Sequence, residues 1–102
     1  MMNKSKLLGH IGLATRARKV TSGEDMVLVS IRNLRAKIVF LASDAGINTT
    51  KRITDKCAFY NVMLVKDLSS DEITTAVGKE NRKVIAIIDQ HFAQMIKSEL
   101  ES

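Results

Sequence analysis

The chain has 102 residues, 45% of them apolar, which is enough to bury the core of one compact domain. It contains no run of the roughly 20 apolar residues that a membrane-spanning helix requires. Its formal net charge is +5, and its single cysteine, Cys57, excludes an internal disulfide. We expect one domain over residues 1–102 in the reducing cytoplasm, without a signal peptide or a membrane segment.

The first part of the chain predicts a helix, a short strand and a second helix. Apolar residues at helical spacing indicate the first helix over residues 4–15, and residues 20–22 form the strand. Gly23 then ends the strand. Glu24 and Asp25 begin the second helix, whose N-terminal dipole favours acidic side chains. The predicted buried stripe of this helix is Val27, Leu28, Ile31 and Leu34.

The middle of the chain predicts a central strand, a third helix and another strand. Residues 36–42 are almost continuously apolar, which is typical of a strand covered on both faces. Asn48 or Thr49 is expected to cap the third helix, and residues 62–65 form the next strand. The predicted inward stripe of the third helix is Ile53, Cys57 and Tyr60.

The last part predicts a helix, a strand and a final helix. Residues 69–72 have the S-x-x-E spacing of a capping box, and Gly78 is expected to end the fourth helix. Residues 83–88 form the last strand, and Asp89 caps a final helix. The predicted inward stripe of that helix is Phe92, Met95, Ile96 and Leu100. The whole pattern predicts an α/β protein, a three-layer α/β/α sandwich with a four-stranded mixed sheet.

The sequence offers no convincing catalytic group. His10 and His91 lie in predicted helices at opposite ends of the chain, without a ligand partner at metal-binding spacing. Cys57 is on an inward stripe, where a small apolar role is favoured over a reactive thiolate. Asp44 follows a strand, as catalytic groups often do, but the neighbouring residues 43–46 are typical of a turn. We predict a protein that is not an enzyme and uses neither metal nor cofactor.

The excess positive charge belongs to the first third of the chain. Residues 1–37 contain eight Lys or Arg and two acids, whereas the remainder contains eight bases and nine acids. This imbalance fits a polyanionic partner such as nucleic acid. The alternative is a solvated basic surface that maintains solubility.

A first candidate site surrounds the start of the second helix. Arg16, Arg18 and Lys19 precede the turn at Ser22 and Gly23. Glycine lets backbone approach a ligand closely, and the amides at a helix N-terminus favour an anion such as phosphate. The alternative is that these residues only cap the helix. The outward stripe of this helix is Asp25, Met26, Val29 and Arg32, where the two apolar residues are either a chance pair or a contact surface.

A second candidate is the polar, basic segment before the last strand. It consists of Gly78, Lys79, Glu80, Asn81, Arg82 and Lys83. The segment is either a solvated connection or part of the first site, because the predicted fold places it near the start of the second helix.

Several blocks in order carry a resemblance to a known family. They include Leu13-Ala14-x-Arg16-Ala17-Arg18-Lys19-Val20-x-Ser22-Gly23-Glu24-Asp25, Ile31-Arg32-Asn33-x-Arg35-Ala36-Lys37 and Leu41-Ala42-Ser43-Asp44-Ala45. Further matches are Asn48-Thr49, Lys51, Thr54-Asp55-Lys56-Cys57, Gly78-Lys79-Glu80, Asp89-Gln90 and Phe92-Ala93. Over essentially the whole chain, these blocks resemble the L7Ae/L30e ribosomal protein family and its bacterial YlxQ-type branch.

The resemblance implies a monomer that binds kink-turn RNA, a sharply bent internal loop with tandem sheared G·A pairs. In this family the start of the second helix reaches guanine edges, and the loop before the last strand covers an exposed nucleotide. Basic side chains hold the RNA backbone, so recognition combines shape with a few base contacts. The predicted RNA-binding residues are Arg16, Arg18, Lys19, Ser22, Gly23, Glu24, Asp25, Met26, Val29, Arg32, Gly78, Lys79, Glu80, Asn81 and Arg82.

The second helix departs from the family signature G-x-N-E-x-x-K. Gly23 matches the glycine, but Asp25, Met26 and Val29 stand at the Asn, Glu and Lys positions. We therefore predict binding of kink-turn or related structured RNA, ribosomal RNA included, with weaker or altered specificity. The alternative is a protein-interaction module on the same fold, in which Met26 and Val29 form an apolar docking patch.

Overall fold

The computed structural model describes residues 3–101, in which five helices alternate with four strands. The helices are α1 (Lys4–Arg16), α2 (Glu24–Arg32), α3 (Ile47–Tyr60), α4 (Ser70–Val77) and α5 (Gln90–Glu101). The strands are β1 (Val20–Ser22), β2 (Ile38–Leu41), β3 (Met63–Val65) and β4 (Val84–Ile87). The predicted order of elements is confirmed.

The four strands form one mixed sheet in the order β1-β4-β2-β3. β4 pairs antiparallel with both β1 and β2, and β3 pairs parallel with β2. Ile87 of β4 lies opposite Val20 on one side and Ile38 on the other. β4, the last strand in the chain, is therefore an inner strand of the sheet, with a neighbouring strand on each side.

Helices cover both faces of the sheet, because alternate residues of its strands point to opposite sides. In β2, Ile38 and Phe40 belong to the core beneath α1, α4 and α5, whereas Val39 and Leu41 belong to the core beneath α2 and α3. All residues of β2 and β4 are buried, as expected for strands covered on both faces. The predicted three-layer α/β/α sandwich is confirmed.

Three of the predicted helix signals are confirmed. Ser69 and Glu72 form the reciprocal capping box of α4, and Gly78 ends that helix in the left-handed region at φ 71°. Asp89 caps α5, since its carboxylate accepts the backbone N–H of Phe92 at 2.9 Å. The cap of α3 was predicted wrongly: it is Gly46, two residues before Asn48 and three before Thr49.

Two residues predicted to be buried are instead exposed. Leu34 is 67% exposed, because α2 ends at Arg32 and Leu34 lies in the turn that follows, at φ 61°. Met95 is 41% exposed, since the residues of α5 that point inward are Ala93 and Ile96. The helical period was correct in both cases. The predicted buried stripe of α2 extended past the end of the helix, and that of α5 included a residue outside the buried face.

Cys57 and Asp44 have structural roles. Cys57 is 2% exposed, and burial raises the pKa of its thiol to about 11, so the thiol stays protonated near neutral pH. Asp44 accepts hydrogen bonds from the hydroxyl and the backbone N–H of Ser70, at 2.6 and 2.8 Å, which supports the interpretation of a turn residue. Within residues 3–101, no helix is both long enough and apolar enough to cross a membrane.

Candidate nucleic-acid interface

Gly23 joins β1 to α2 in a conformation that other residues rarely adopt. Its φ is 93° and its ψ is 147°, and it is the N-cap of α2. Its N–H donates to the carbonyl of Val84 and its carbonyl accepts from the N–H of Val27, both at 3.0 Å. Because glycine supplies no capping side chain, the amides in the first turn of α2 are left for an external acceptor.

Arg82 reaches this turn from the loop between α4 and β4. Its Nη1 lies 3.4 Å from the point that a Cβ atom on Gly23 would occupy. Its backbone N–H donates to the hydroxyl oxygen of Thr74 at 3.1 Å, and that hydroxyl lies 3.4 Å from the Arg82 carbonyl. The Nε of Arg82 is buried and has no hydrogen-bond partner among the described residues. A guanidinium and a helix N-terminus thus converge, and both favour an anion.

The remainder of this loop is exposed and turned twice through the left-handed region. Gly78 and Asn81 have φ values of 71° and 54°, and Lys79, Glu80 and Asn81 face solvent. The structure therefore brings the loop and the turn at Gly23 together, as the predicted fold implies. Ser22, the last residue of β1, lies next to this contact and pairs with Ile85.

Glu24 faces α3 rather than the loop. Its Oε1 accepts the hydroxyl of Thr49 at 2.7 Å, and its Oε2 forms an ion pair with Nε of Arg52 at 2.9 Å. The carboxylate therefore links the starts of α2 and α3. Sequence reasoning missed Thr49 and Arg52 because they lie 25 and 28 positions from Glu24, and only the packing of the two helices brings them into contact with it.

The outward face of α2 is open to solvent. Met26 is 59% exposed and Val29 is 36% exposed. A groove of about 260 Å³ runs along this face between α2 and α3. It is lined by Asp25, Leu28, Val29, Arg32 and Lys56. The groove adds Lys56 to the candidate residues, since its position beside α2 is set by packing and leaves no signal in the sequence.

Arg16, Arg18 and Lys19 are not brought together with Gly23. The carbonyl of Lys19 accepts the N–H of Ile88, whereas the N–H of Gly23 donates to Val84. The two contacts lie at opposite ends of β1 and β4. The candidate residues consequently form two groups at the two ends of the sheet.

Comparison with known proteins identifies the family. The model of the ribosomal protein L7Ae/L30e/S12e/Gadd45 family matches residues 5–97. RNA-binding protein YlxQ of Bacillus subtilis (strain 168) is 50% identical over 91 residues, which span 89% of this chain and 91% of the relative. RNA-binding protein YlxQ of Enterococcus faecium is 44% identical over 99 residues, 97% of this chain and 95% of the relative.

Solved structures show the same fold. A protein of unknown function from Bacillus halodurans C superposes with a TM-score of 0.89 at 34% identity, covering 95% of this chain and 98% of that one. The Giardia lamblia 15.5kD RNA binding protein superposes with a TM-score of 0.81 at 19% identity, covering 93% and 84%. The predicted resemblance is thus confirmed, and the chain belongs to the ribosomal protein L7Ae/L30e/S12e/Gadd45 family.

Proposed function

We propose that this protein binds structured RNA of the kink-turn kind at the Gly23 end, which we define as the turn at Gly23, the start of α2 and the loop of residues 78–82. The observation that carries the proposal is the contact between Arg82 and Gly23. A cation with a buried, unpartnered N–H lies against a helix N-terminus, an arrangement that an RNA phosphate would stabilise.

Family membership supports RNA as the source of that phosphate. Both curated relatives described above are named RNA-binding proteins, and both align over nearly the whole chain. These names favour RNA binding over the alternative of a protein-interaction module. The proposal gives the protein a binding role as a cytoplasmic monomer and assigns no catalytic step.

The side chains of α2 set what this end can recognise. Asp25 carries a charge that phosphate repels, and Met26 and Val29 offer apolar surface where hydrogen bonds to guanine edges would otherwise form. The carboxylate of Glu24 is already engaged by α3, so Glu24 contributes its backbone amide. Recognition at this end therefore depends mostly on RNA shape and on phosphate contacts.

The test is a titration with a kink-turn RNA and with the same RNA after its G·A pairs are changed to Watson–Crick pairs. We expect tighter binding of the kink-turn and a steep loss of affinity with added salt. Equal affinity for the two RNAs would contradict kink-turn recognition, and absence of binding to either would contradict the whole proposal.

A pair of variants locates the surface. Arg82→Gln should weaken kink-turn binding about tenfold, since it removes one charge-assisted phosphate contact. Lys97→Gln is the matched control, because it removes the same charge from α5 on the other face of the sheet. Equal effects of the two variants would show that overall charge, and not the Gly23 end, determines binding.

A further inference from the structure

The end of the sheet opposite Gly23 carries a concentration of positive charge. Six basic residues lie in, or just after, the last turns of α1 and α2: Arg16, Arg18, Lys19, Arg32, Arg35 and Lys37. Backbone hydrogen bonds fix the positions of Lys19 and Lys37. The carbonyl of Lys19 accepts the N–H of Ile88 at 3.0 Å, and the N–H of Lys37 donates to the carbonyl of Ile87 at 2.8 Å. The two lysines therefore flank the end of β4. We call these six residues the basic end.

The charges of the basic end are not neutralised by the protein. All six residues except the partly buried Lys37 are exposed. Within residues 3–101, none of the six lies within 4.0 Å of a carboxylate oxygen, whereas other bases, such as Lys4, Lys51 and Arg52, do. Asp89 follows Ile88 at this end, but its Oδ2 accepts the N–H of Phe92. Asp89 is one acidic residue beside six basic ones, so like charges outnumber their counter-charges here, and a polyanion would relieve the remaining repulsion.

Two similar turns, one after α1 and one after α2, carry several of these basic residues. After α1, Arg18 has φ 61° and the N–H of Lys19 donates to the carbonyl of Ala14 at 2.8 Å. After α2, Leu34 has φ 61° and the N–H of Arg35 donates to the carbonyl of Ser30 at 2.9 Å. Glycine is the favoured residue at such left-handed positions, so arginine at position 18 is strained. Strained backbone of this kind is concentrated at functional sites.

An exposed aromatic ring lies at the same end of the sheet. Phe59 is 79% exposed in the last turn of α3, and its ring meets Tyr60 edge-on with centroids 4.9 Å apart. The chain then turns at Asn61 into β3, whose first residue, Met63, pairs with Ile38 next to Lys37. A basic surface with an exposed aromatic ring is the combination that binds single-stranded nucleic acid, because every base can stack on the ring.

We propose that the basic end is a second RNA-binding surface, which holds a single-stranded segment beside the structured element bound at the Gly23 end. The inference rests on the proposed function only for the identity of the partner. Lys19 and Gly23 are four positions apart in extended chain, or about 13 Å, so a segment that leaves one surface can reach the other. The groove between α2 and α3 is lined by Asp25, from the first turn of α2, and by Arg32, from its last turn.

The experiment compares a kink-turn RNA with the same RNA extended at either end by about ten unpaired uridines, a length in the range that single-strand sites span. The tail should raise the affinity of the wild-type protein about tenfold. In the variant Lys19→Gln with Lys37→Gln, the tail should add less than about twofold, and the slope of log K against log salt should fall by about 1.4. Lys6→Gln with Lys97→Gln removes the same charge from outside the basic end and should keep the full gain.

Thermal unfolding of each variant checks that the fold is intact. A tail that adds nothing to the wild-type affinity, or that adds equally to all three proteins, would overturn the proposal and would favour a protein ligand for this surface. A free decamer of uridine separates the two proposals. It should bind the wild type and lose affinity only in the Lys19 and Lys37 variant, whereas Arg82→Gln should affect only the kink-turn itself.

Discussion

The two ends of the sheet hold their polar side chains in different ways. At the Gly23 end, the backbone of Arg82 is bonded to Thr74, and Glu24 is bonded to Thr49 and Arg52. At the basic end, the Lys and Arg side chains form no ion pair with any carboxylate in the described part of the chain. One end therefore has fixed geometry with few charges, and the other has many charges with little fixed geometry.

This difference indicates what each proposed surface would contribute to RNA binding. Groups held at fixed positions discriminate between RNA shapes, because a misplaced phosphate loses its contact. Charges on exposed side chains contribute affinity that salt screens and that depends little on sequence. The following predictions perturb the Gly23 end and ask whether its effects stay separate from those of the basic end.

The largest effect is expected from Gly23→Ala. The substitution places a side chain in a backbone region that is nearly restricted to glycine, and its Cβ lies 3.4 Å from Nη1 of Arg82. We expect a loss of about 1–3 kcal/mol in the free energy of unfolding and a fall of more than about tenfold in RNA affinity. Urea unfolding and an RNA titration measure the two quantities.

Gly46→Ala is the matched control for this prediction. Gly46 is also a helix N-cap, but its φ is −63° and no atom lies within 4 Å of the added Cβ. We expect a change of less than about 1 kcal/mol, because the loss of a favourable N-cap residue is offset by the smaller entropy of alanine in the unfolded chain. If the two alanine variants behave alike, the turn at Gly23 has no special role.

The next effect concerns the exposed face of α2. Met26→Glu with Val29→Lys restores two positions of the family signature, and both side chains face solvent, so the fold should tolerate the change. We expect kink-turn affinity to rise about tenfold, since each good base or phosphate contact contributes about 1–3 kcal/mol. The swapped pair, Met26→Lys with Val29→Glu, has the same composition and should give no such gain in a gel-shift titration.

A smaller effect should follow from Glu24→Ala. The variant removes the carboxylate that links Thr49 of α3 and Arg52 of α3 to α2. We expect about 1 kcal/mol less stability, because the ion pair is partly exposed and its partner remains solvated. Asp25→Ala, one residue along and exposed, should change the unfolding free energy by less than about 0.5 kcal/mol. Equal losses in urea unfolding would contradict the assigned bridge.

The smallest effect is a pH dependence near the Gly23 end. The hydroxyl and backbone N–H of Ser70 lower the pKa of Asp44, and the N–H of Ser69 lowers the pKa of Glu72. Their stabilisation is complete above the unfolded pKa values of about 4 and is lost as the pH falls through the folded values. Asp44→Asn with Glu72→Gln should therefore lose less stability than the wild type between pH 7 and pH 3.

Urea unfolding at the two pH values checks this prediction, with Asp71→Asn as a control in the same turn of α4. Asp71 is exposed and adjoins the capping box without forming it. Identical pH dependence in the wild type and the double variant would mean that these two carboxylates do not contribute.

Most of the fold could be predicted from the sequence, because its signals are local. The capping box at Ser69, the left-handed Gly78 and the continuous apolar run of β2 each determine their element within a few neighbouring residues. The errors arose where the local sequence pattern did not match the helix boundary in the folded structure. The start of α3 at Gly46 lacks a side-chain cap, and Leu34 continues the apolar stripe of α2 after the helix has ended.

The candidate site was only partly predictable. The contact between Gly23 and the loop follows from strand order, so a correct fold was sufficient to expect it. The separation of Lys19 from Gly23 was missed, since residues four apart look adjacent in a sequence although a strand holds them far apart. The partners of Glu24 and the position of Lys56 depend on helix packing, which no local pattern encodes.

The central position of β4 has a consequence for RNA selection. The first residue of this strand, Val84, accepts the N–H of Gly23, and Ile88, just after its last residue, donates its N–H to Lys19. All four residues of β4 are buried. The spacing of the two surfaces is therefore as rigid as the core itself and cannot adapt to the ligand. An RNA that engages both proposed surfaces must present its bend and its unpaired strand at a matching separation, so we expect that separation to contribute to the choice of target.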